Sequence, residues 1–283
     1  MLGTDGRLYD ADFDFDGDGK LNAYEYSVMD DVVFGHEDTE TSEVDELEDE
    51  LSLAGLDATE LEYMDADEHC KNGNNYSIYN IYYDTFDNQV IRHSINKPYY
   101  KEKLRLRSYK TPVSKEDKVF LEIKKKINGV VNKRRVVLTL GEVQDFLNKG
   151  IRPEKDDYMS NQVLNEIENY LENNKVKPKV YISYSRKAFF CKTDKDFRLT
   201  FDSKIITRRD NLLLEAGNFG DELLEPNQYL MEVKILGAIP LWLVEIFSDL
   251  SIYSTKFSKY GNEYMRYCLN KNKENEMRRV KIC

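Results

Sequence analysis

The sequence predicts an α+β fold that is built on a mostly antiparallel sheet of seven or more strands. Segments rich in β-branched and aromatic residues follow one another at short intervals from about Tyr76, and Asn128 and Gly129 supply a hairpin turn between two of them. Two helical patterns separate this first group of strands from a second group, and further helical patterns follow. Runs of strands and runs of helices without a regular βαβ order are typical of the α+β class.

The predicted strands are rich in aromatic residues or alternate between apolar and polar residues. In chain order they are YSIYNIYYDTF, KEKLRLRSYK, KVFLEIKKKI, KRRVVLTL, KPKVYISYSRKAFF, FRLTFDSKIITRR and QYLMEVKIL. Between the two groups, GEVQDFLNKG predicts a helix that ends at Gly150, and SNQVLNEIENYLENN predicts one that begins at Ser160. After the last strand, PLWLVEIFSDL has Pro240 near its first turn, and KFSKYGNEYMRYC is also expected to be helical.

A twelve-residue stretch near the N-terminus, DFDGDGKLNAYE, matches the EF-hand calcium loop at every diagnostic position. Gly19 permits the sharp turn, and oxygen ligands at these spacings suit Ca²⁺ better than a transition metal. The predicted Ca²⁺ ligands are Asp14, Asp16, Asp18, Lys20 (through its carbonyl oxygen), Asn22 and Glu25. The alternative is an acidic turn that binds Ca²⁺ weakly or not at all, because the preceding segment is a poor helix former.

The charge of the chain is divided unevenly. Residues 1–70 hold 24 acidic and two basic residues, a net charge of −22, whereas the whole chain carries −11, so residues 71–283 carry +11. Regions of opposite charge predict different roles, and the basic region is the candidate for binding an anion. The predicted segments are an EF-hand-like calcium-binding segment (1–38), an acidic helical linker (39–70), the sheet domain (71–270) and a basic tail (271–283).

Several predicted strands carry cations on one face and apolar residues on the other. In KEKLRLRSYK, alternation places Lys103, Arg105 and Arg107 on one face and Leu104 and Leu106 on the opposite face. Mixed charges dominated by cations recur in VFLEIKKKI, FRLTFDSKI and YLMEVKIL. One interpretation is a sheet with one hydrated face. The other is a binding face for a chain of phosphates, in which arginine forks hold phosphate oxygens and interspersed carboxylates position a divalent metal.

The segments IYYDTFDNQVIRHSINKPYYKEKLRLRSY, VFLEIKKKINGVVNKRRV, FRLTFD, LMEVKI and KFSKY, in this order, resemble the VTC domain. This domain is the polyphosphate polymerase branch of the CYTH-like triphosphate tunnel proteins. The resemblance runs from about Tyr63 to Cys268 and implies an antiparallel β-barrel of the triphosphate tunnel type, flanked by helices, for residues 71–270. It also implies a transferase that moves the γ-phosphate of ATP onto polyphosphate, with Mn²⁺ or Mg²⁺ as cofactor.

The resemblance assigns roles to individual residues. Arg105 and Arg107 match the paired arginines that hold the triphosphate, and Lys124 matches a phosphate-binding lysine. Glu232 matches the metal-binding carboxylate, and Glu122 is expected to join it as a ligand of Mn²⁺ or Mg²⁺. The expected catalytic residues are therefore Arg105, Arg107, Lys124 and Glu232. The residues expected to bind further phosphates are Arg92, Lys103, Arg186, Arg198, Lys234, Lys256 and Lys259.

One part of the tunnel pattern is missing from the sequence. Tunnel enzymes open with a strand of E-x-E-x-K type, and the nearest match, ELEYM, has Met64 in place of the lysine and reads more like a helix. Strand structure is therefore expected to begin only near Tyr76. Without the first strand, two alternatives stay open beside the polymerase. One is a non-catalytic module that binds polyphosphate or a nucleotide, and the other is a hydrolase of triphosphates.

ATP and polyphosphate are the expected partners. Nucleic acid is not expected as a partner, because the basic residues are predicted to point inward. The longest apolar run, ILGAIPLWLVEIF, is too short for a membrane span and is interrupted by Pro240 and Glu245. No apolar signal region opens the sequence, and the four cysteines are widely scattered, so a cytoplasmic protein with free thiols is expected. The sequence leaves the oligomeric state open.

Overall fold

A computed structural model describes residues 63–67, 70, 75–194 and 196–271, and the backbone alone of residues 2–3, 20–21 and 272–280. Its strands are β1 (Leu2–Gly3), β2 (Lys20–Leu21), β3 (Met64–Ala66), β4 (Tyr76–Asp84), β5 (Tyr100–Ser108), β6 (Lys118–Ile127), β7 (Val130–Thr139), β8 (Lys177–Cys191), β9 (Arg198–Arg208), β10 (Asp221–Glu222) and β11 (Leu230–Lys234). Its helices are α1 (Gln89–Ile95), α2 (Leu140–Lys149), α3 (Tyr158–Asn173), α4 (Leu241–Asp249) and α5 (Lys259–Val280).

Two sequence predictions concern the N-terminal region. The calcium loop at residues 14–25, apart from the backbone of residues 20–21, lies outside the described residues, as does most of the acidic linker. Calcium binding and the division of the chain into four segments therefore stay predictions.

Strands β3 to β11 form a single antiparallel sheet in the described part of the chain. Its order is β10–β9–β8–β4–β5–β6–β7, with β11 beside β10 on one edge of β9 and β3 beside β4 on one edge of β8. Strands β1 and β2 pair separately and in parallel. The predicted hairpin joins β6 to β7, and Asn128 (φ 45°) and Gly129 (φ 87°) adopt the left-handed conformation that such a two-residue turn needs. The α+β class with a mostly antiparallel sheet is confirmed.

The sheet does not close into a barrel, which corrects the predicted tunnel-type barrel. Among the described strands, β7 pairs only with β6, and β10 and β11 pair only with β9, so both ends of the sheet are open edges. Closure requires pairing between the two edges, and here β10 has only two residues and β11 only five. The sheet instead curls, and Glu232 on β11 lies close enough to Lys124 on β6 to influence the pKa of that lysine.

The outer face of the curled sheet packs against α2 and α3 in the largest hydrophobic cluster. Leu104 and Leu106 of β5 and Leu121 of β6 are no more than 3% exposed, as the predicted alternation requires. The helices contribute Val143, Phe146, Val163, Leu164, Ile167 and Tyr170. The opposite face of the same strands is therefore turned away from this core and toward the inside of the curl.

The ends of α2 and α3 follow local capping chemistry. The Thr139 hydroxyl accepts a hydrogen bond from the Glu142 amide (3.2 Å), while the Glu142 carboxylate accepts one from the Thr139 amide (2.6 Å). Helix α2 ends at Gly150 (φ 70°), as predicted. Helix α3 begins earlier than predicted, because Asp157 and not Ser160 is its cap: the Asp157 carboxylate accepts from the Ser160 amide at 2.6 Å.

A short strand, β3, precedes Tyr76, where the sequence predicted none. It pairs antiparallel with the last residues of β8, with Met64 opposite Cys191. Met64 is 5% exposed in a second apolar cluster that includes Phe189 and Phe197. Met64, the last residue of ELEYM, therefore lies in a strand because the edge of β8 and this apolar cluster are available to it.

Asp84, at the end of β4, connects this strand to helices α1 and α5. Its carboxylate accepts hydrogen bonds from the amides of Val90 (2.9 Å) and Ile91 (3.0 Å) at the start of α1. The hydroxyl of Tyr260, on α5, also donates to it at 2.7 Å. The first turn of α5 is thereby held over the inner face of the sheet. No helix of the described chain has both the length and the apolar character needed to cross a membrane.

Candidate functional site

A cavity of about 410 Å³ lies on the inner face of the curled sheet, under the first turn of α5. Strands β4 to β8, strand β11 and helix α5 line it. Ten cations of the described chain line it, and they are Lys101, Lys103, Arg105, Arg107, Lys124, Lys126, Lys133, Arg186, Lys234 and Lys259. Among the residues that the structure describes, two carboxylates line it, those of Glu122 and Glu232. The formal excess of eight positive charges among these described residues favours a highly charged anion as ligand.

The strand register places like charges directly opposite one another. Lys124 of β6 lies between Lys103 of β5 and Lys133 of β7, and Lys101 lies opposite Lys126. Like charges in these positions destabilise a sheet. Burial lowers the pKa of Lys103 to about 8, and the neighbouring charges of Lys101 and Lys124 act in the same direction. An anionic ligand would remove this repulsion. The arrangement therefore lowers the stability of the ligand-free protein and favours the binding of an anion.

Glu122 lies at the centre of three arginines at the inner end of the cavity. Arg105 Nε donates to its Oε2 at 2.8 Å, and Arg107 Nη1 and Arg135 Nη1 lie 3.9 Å and 4.0 Å from its Oε1. Burial acts to raise the pKa of Glu122, but the charges of the three arginines outweigh it and hold that pKa at about 2. The carboxylate therefore stays ionised and fixes the guanidinium groups in place.

Arg107 has two further contacts that fix its orientation. Its Nε donates to Asn80 Oδ1 at 3.1 Å, and its Nη1 donates to the Tyr109 hydroxyl at 3.2 Å. Arg105 Nη1 donates to the Tyr82 hydroxyl at 3.2 Å. Because both arginines are held before any ligand arrives, little side-chain freedom remains to be lost on binding.

Arg186 is positioned by Asp202 in the same way. Its Nε and Nη2 donate to the two carboxylate oxygens of Asp202 at 2.7 Å and 3.0 Å, and Lys259 of α5 also donates to this carboxylate. Burial acts to raise the pKa of Asp202, but Arg186 and Lys259 outweigh it and lower that pKa. Asp202 thus joins β8, β9 and α5, and it is fully occupied by cations.

Glu232 is the carboxylate that remains open to the cavity. Its side chain is half exposed, and its nearest ion-pair partner is Arg186 Nη2 at 4.0 Å. No cluster of three or more acidic, histidine or cysteine residues suited to a metal occurs among the described residues. Mg²⁺ commonly takes one or two protein carboxylates together with substrate phosphates, and Glu232 fits that requirement. The oxygens of Glu122 face guanidinium groups, which disfavours its predicted role as a second metal ligand.

The cavity brings together most of the residues that the sequence predicted for it. Those that line it are Lys103, Arg105, Arg107, Glu122, Lys124, Arg186, Glu232, Lys234 and Lys259. Three others do not line it. Arg92 lies on α1 in a separate cleft with His93 and Tyr100, Lys256 is exposed ahead of α5, and Arg198 is buried against Tyr76. The functional roles of all these residues stay predictions.

Some lining residues were not singled out from the sequence. Tyr82, Tyr184 and Tyr260 contribute aromatic faces and hydroxyls, and Lys133 adds a cation. Burial acts to raise the pKa of Tyr82, but the charge and hydrogen bond of Arg105 outweigh it and lower that pKa. The Asn-Gly turn was a usable signal for Lys133, because a two-residue turn sets the register that places Lys133 opposite Lys124.

A model of the VTC domain family matches residues 50–267 of the chain. No curated protein matches the sequence. A crystal structure provisionally described as an adenylate cyclase, from Bacillus halodurans, matches with a TM-score of 0.41 and 16% identity, over 67% of this chain and 82% of the other. A second structure with the same provisional description, from Vibrio parahaemolyticus, matches with a TM-score of 0.28 and 14% identity, over 62% and 67%. Similarity at this level assigns no function.

Proposed function

Because the chain belongs to the VTC domain family, we propose that it is a phosphotransferase of the polyphosphate polymerase type. It would move the γ-phosphate of ATP onto the terminal oxygen of a phosphate chain. The observation that carries this proposal is that, in the part of the chain that the structure describes, ten cations surround one cavity with a single open carboxylate. Arginine forks and lysines along a chain of phosphates suit repeated phosphate groups better than a single anion.

In the proposed reaction, a terminal oxygen of the acceptor attacks the γ-phosphorus, the bond from that phosphorus to the β-phosphate oxygen breaks, and ADP leaves. The acceptor oxygen is itself the nucleophile, so the protein does not have to supply a nucleophilic side chain. Arg105 and Arg107 are held by Glu122, Asn80 and Tyr109 before the substrate arrives. Fixed positive charge at the position where negative charge develops lowers the barrier without rearrangement of the site.

Glu232 would hold Mn²⁺ or Mg²⁺ together with phosphate oxygens. When bound, the ion would neutralise charge on the transferred phosphate and orient it. Arg186 lies 4.0 Å from Glu232 and is fixed by Asp202. This arginine would therefore hold a phosphate next to the Glu232 carboxylate. The protein residues themselves bind, orient and neutralise the substrate.

The test is synthesis of polyphosphate from ATP by the purified chain in the presence of Mn²⁺, compared with Glu232→Gln. The variant should lose at least about 100-fold in rate, because metal-assisted charge stabilisation is worth several kcal/mol. It should retain tripolyphosphate binding, because the cations remain. Glu225→Gln, an exposed glutamate, is the matched control and should behave like the unmodified chain.

Two results would replace the proposal. Hydrolysis of ATP without any polymer would make the chain a triphosphate hydrolase. Tight tripolyphosphate binding with no turnover of ATP would make it a binding module. This alternative is favoured by the fact that Glu232 alone, among the described residues, offers an open carboxylate in the cavity.

A further inference from the structure

The charged residues of the cavity are arranged in rows that run across the strands. In the strand register, the first row is Arg105 and Glu122, the second is Lys103, Lys124 and Lys133, and the third is Lys101 and Lys126. Residues on one face of a strand are two positions apart, so successive rows are about 7 Å apart and the third lies about 13 Å from the first. We call Lys101 and Lys126 the distal row. Neither is among the residues that the sequence assigned to the site.

The distal row lies where the cavity meets solvent at the β6–β7 hairpin. Both of its lysines line the cavity and are half-buried. Val131, which also lines the cavity and lies opposite Lys126, is 48% exposed. In the first row, by contrast, Glu122 is only 2% exposed. A phosphate chain bound at Arg105 would therefore reach solvent by extending past the distal row.

On the outer face of the same hairpin, cations have carboxylate partners. Lys125 Nζ lies 2.8 Å from Glu166 Oε2 and 3.6 Å from Glu102 Oε1. Arg134 of β7 also forms an ion pair with Glu166. The hairpin therefore compensates its cations on the face that has no cavity.

The distal row, on the inner face, is not compensated in this way. In the part of the chain that the structure describes, neither Lys101 nor Lys126 forms an ion pair with a carboxylate. Lys101 Nζ donates instead to the neutral carbonyl oxygen of Ser94 at 3.2 Å. Burial lowers the pKa of Lys101, and the charge of Lys126 acts in the same direction. The two lysines lie directly opposite each other and repel, and an anion between them would remove this repulsion.

We propose that the distal row is a further phosphate subsite, which binds the part of a linear chain that extends beyond a triphosphate held at Arg105 and Arg107. This inference rests on the proposed binding of phosphate chains in the cavity. A triphosphate has three phosphorus atoms joined through two oxygens, and it is shorter than the distance from the first row to the third. A longer chain contacts all three rows. The subsite therefore selects a linear polyphosphate over a nucleoside triphosphate.

The test is calorimetric titration of the full chain with tripolyphosphate and with a linear polyphosphate of about eight phosphates, which is long enough to cover the ~13 Å of the three rows. Lys101→Ala combined with Lys126→Ala should weaken binding of the longer chain about 10-fold or more, because charged contacts to phosphate are lost. Tripolyphosphate affinity should change less than about 2-fold at physiological ionic strength, because charges more than about 8 Å apart are largely screened.

A control with the same change of charge separates the subsite from general attraction to the protein. Lys115→Ala combined with Lys125→Ala removes two cations that do not line the cavity, and it should leave both affinities unchanged. Equal losses for the two ligands in the distal-row variant, or a loss in the control as large as in that variant, would overturn the proposal. Equal affinity of the unmodified chain for the two ligands would also overturn it, and that result depends on no variant.

Failure of this inference is distinct from failure of the proposed function. Tighter binding of the longer chain that the distal-row variant abolishes, with no polymer made from ATP, would refute the polymerase and leave the subsite standing. Polymer synthesis together with unchanged affinity of that variant for the longer chain would do the reverse. Absence of any binding to either ligand would refute both.

Discussion

The two faces of β5 and β6 place opposite demands on the same strands. On the outer face, Leu104, Leu106 and Leu121 are almost completely buried against α2 and α3, and burial of apolar surface stabilises the fold. On the inner face, Lys103 and Lys124 lie opposite each other in a cavity with a large excess of positive charge. Repulsion between these like charges destabilises the fold.

Because the two faces differ, adjacent residues of one strand contribute either to the stability of the fold or to ligand binding. Leu121 and Glu122 are neighbours in sequence, but one packs in the core and the other holds three arginines in the cavity. Substitutions on the outer face should change stability alone. Substitutions of inner-face lysines should change ligand affinity and affect stability slightly or in the opposite direction.

Glu122→Gln should have the largest effect, because the charge of Glu122 compensates three buried arginines and also holds two of them in the cavity. Removing its charge takes away the buried carboxylate that Arg105, Arg107 and Arg135 share. The free energy of unfolding should fall by about 3–5 kcal/mol, as when one partner of a buried ion pair is removed. Chemical denaturation measures this change, and exposed Glu116→Gln is the control.

The effect of Glu122→Gln has a defined pH dependence. The folded-state pKa of Glu122 is about 2, below its ordinary value of 4.5. Its contribution to stability is therefore fully present above about pH 4.5 and is lost as the pH falls toward 2. The two proteins should converge in stability over that range, and a constant difference would contradict the proposed role of the charge.

Leu121→Ala tests the outer face. Leu121 is completely buried between β6 and the helices, so a cavity left by its truncation should lower the free energy of unfolding by about 2–5 kcal/mol. Tripolyphosphate affinity, measured well below the unfolding midpoint, should not change. A drop in affinity would show that the two faces are coupled through the strand.

Lys124→Ala tests the inner face and should separate the two properties by sign. Tripolyphosphate affinity should fall about 10-fold or more, because a charged contact to phosphate is worth about 1.5–3 kcal/mol. Stability without ligand should not fall, since repulsion from Lys103 and Lys133 is removed. Exposed Lys115→Ala is the control, and a marked loss of stability in Lys124→Ala would sink the argument.

Much of the inner face could be predicted from the sequence, because side-chain alternation depends only on local geometry. Arg105, Arg107 and Lys124 occupy the predicted face for this reason. Alternation cannot tell which layer of the inner face a residue joins, because that depends on strand register and on the curl of the sheet. Arg198 was therefore expected in the cavity but lies beyond it, beside Tyr76 and Asp67.

The same limit applies to closure of the sheet and to its first strand. Whether β11 pairs with one neighbour or two depends on the lengths of distant strands, which no local pattern contains. β3 forms because the edge of β8 and the cluster around Met64 are available, although the local sequence favours a helix. Long-range packing decided both points.

The effect that is smallest near neutral pH concerns the protonation of Lys103. Its pKa is lowered to about 8, chiefly by burial, and a bound phosphate would favour the charged form. Below pH 8 the lysine is charged before and after binding, so affinity should not depend on it. Above pH 8 the lysine of the free protein is neutral and must take up a proton on binding, so affinity should fall, by at most about 10-fold per pH unit.

Lys103→Arg keeps its charge throughout and should remove this dependence. Titration calorimetry with tripolyphosphate between pH 7 and about pH 9.5 would measure it, and identical profiles for both proteins would assign the pH dependence to the ligand.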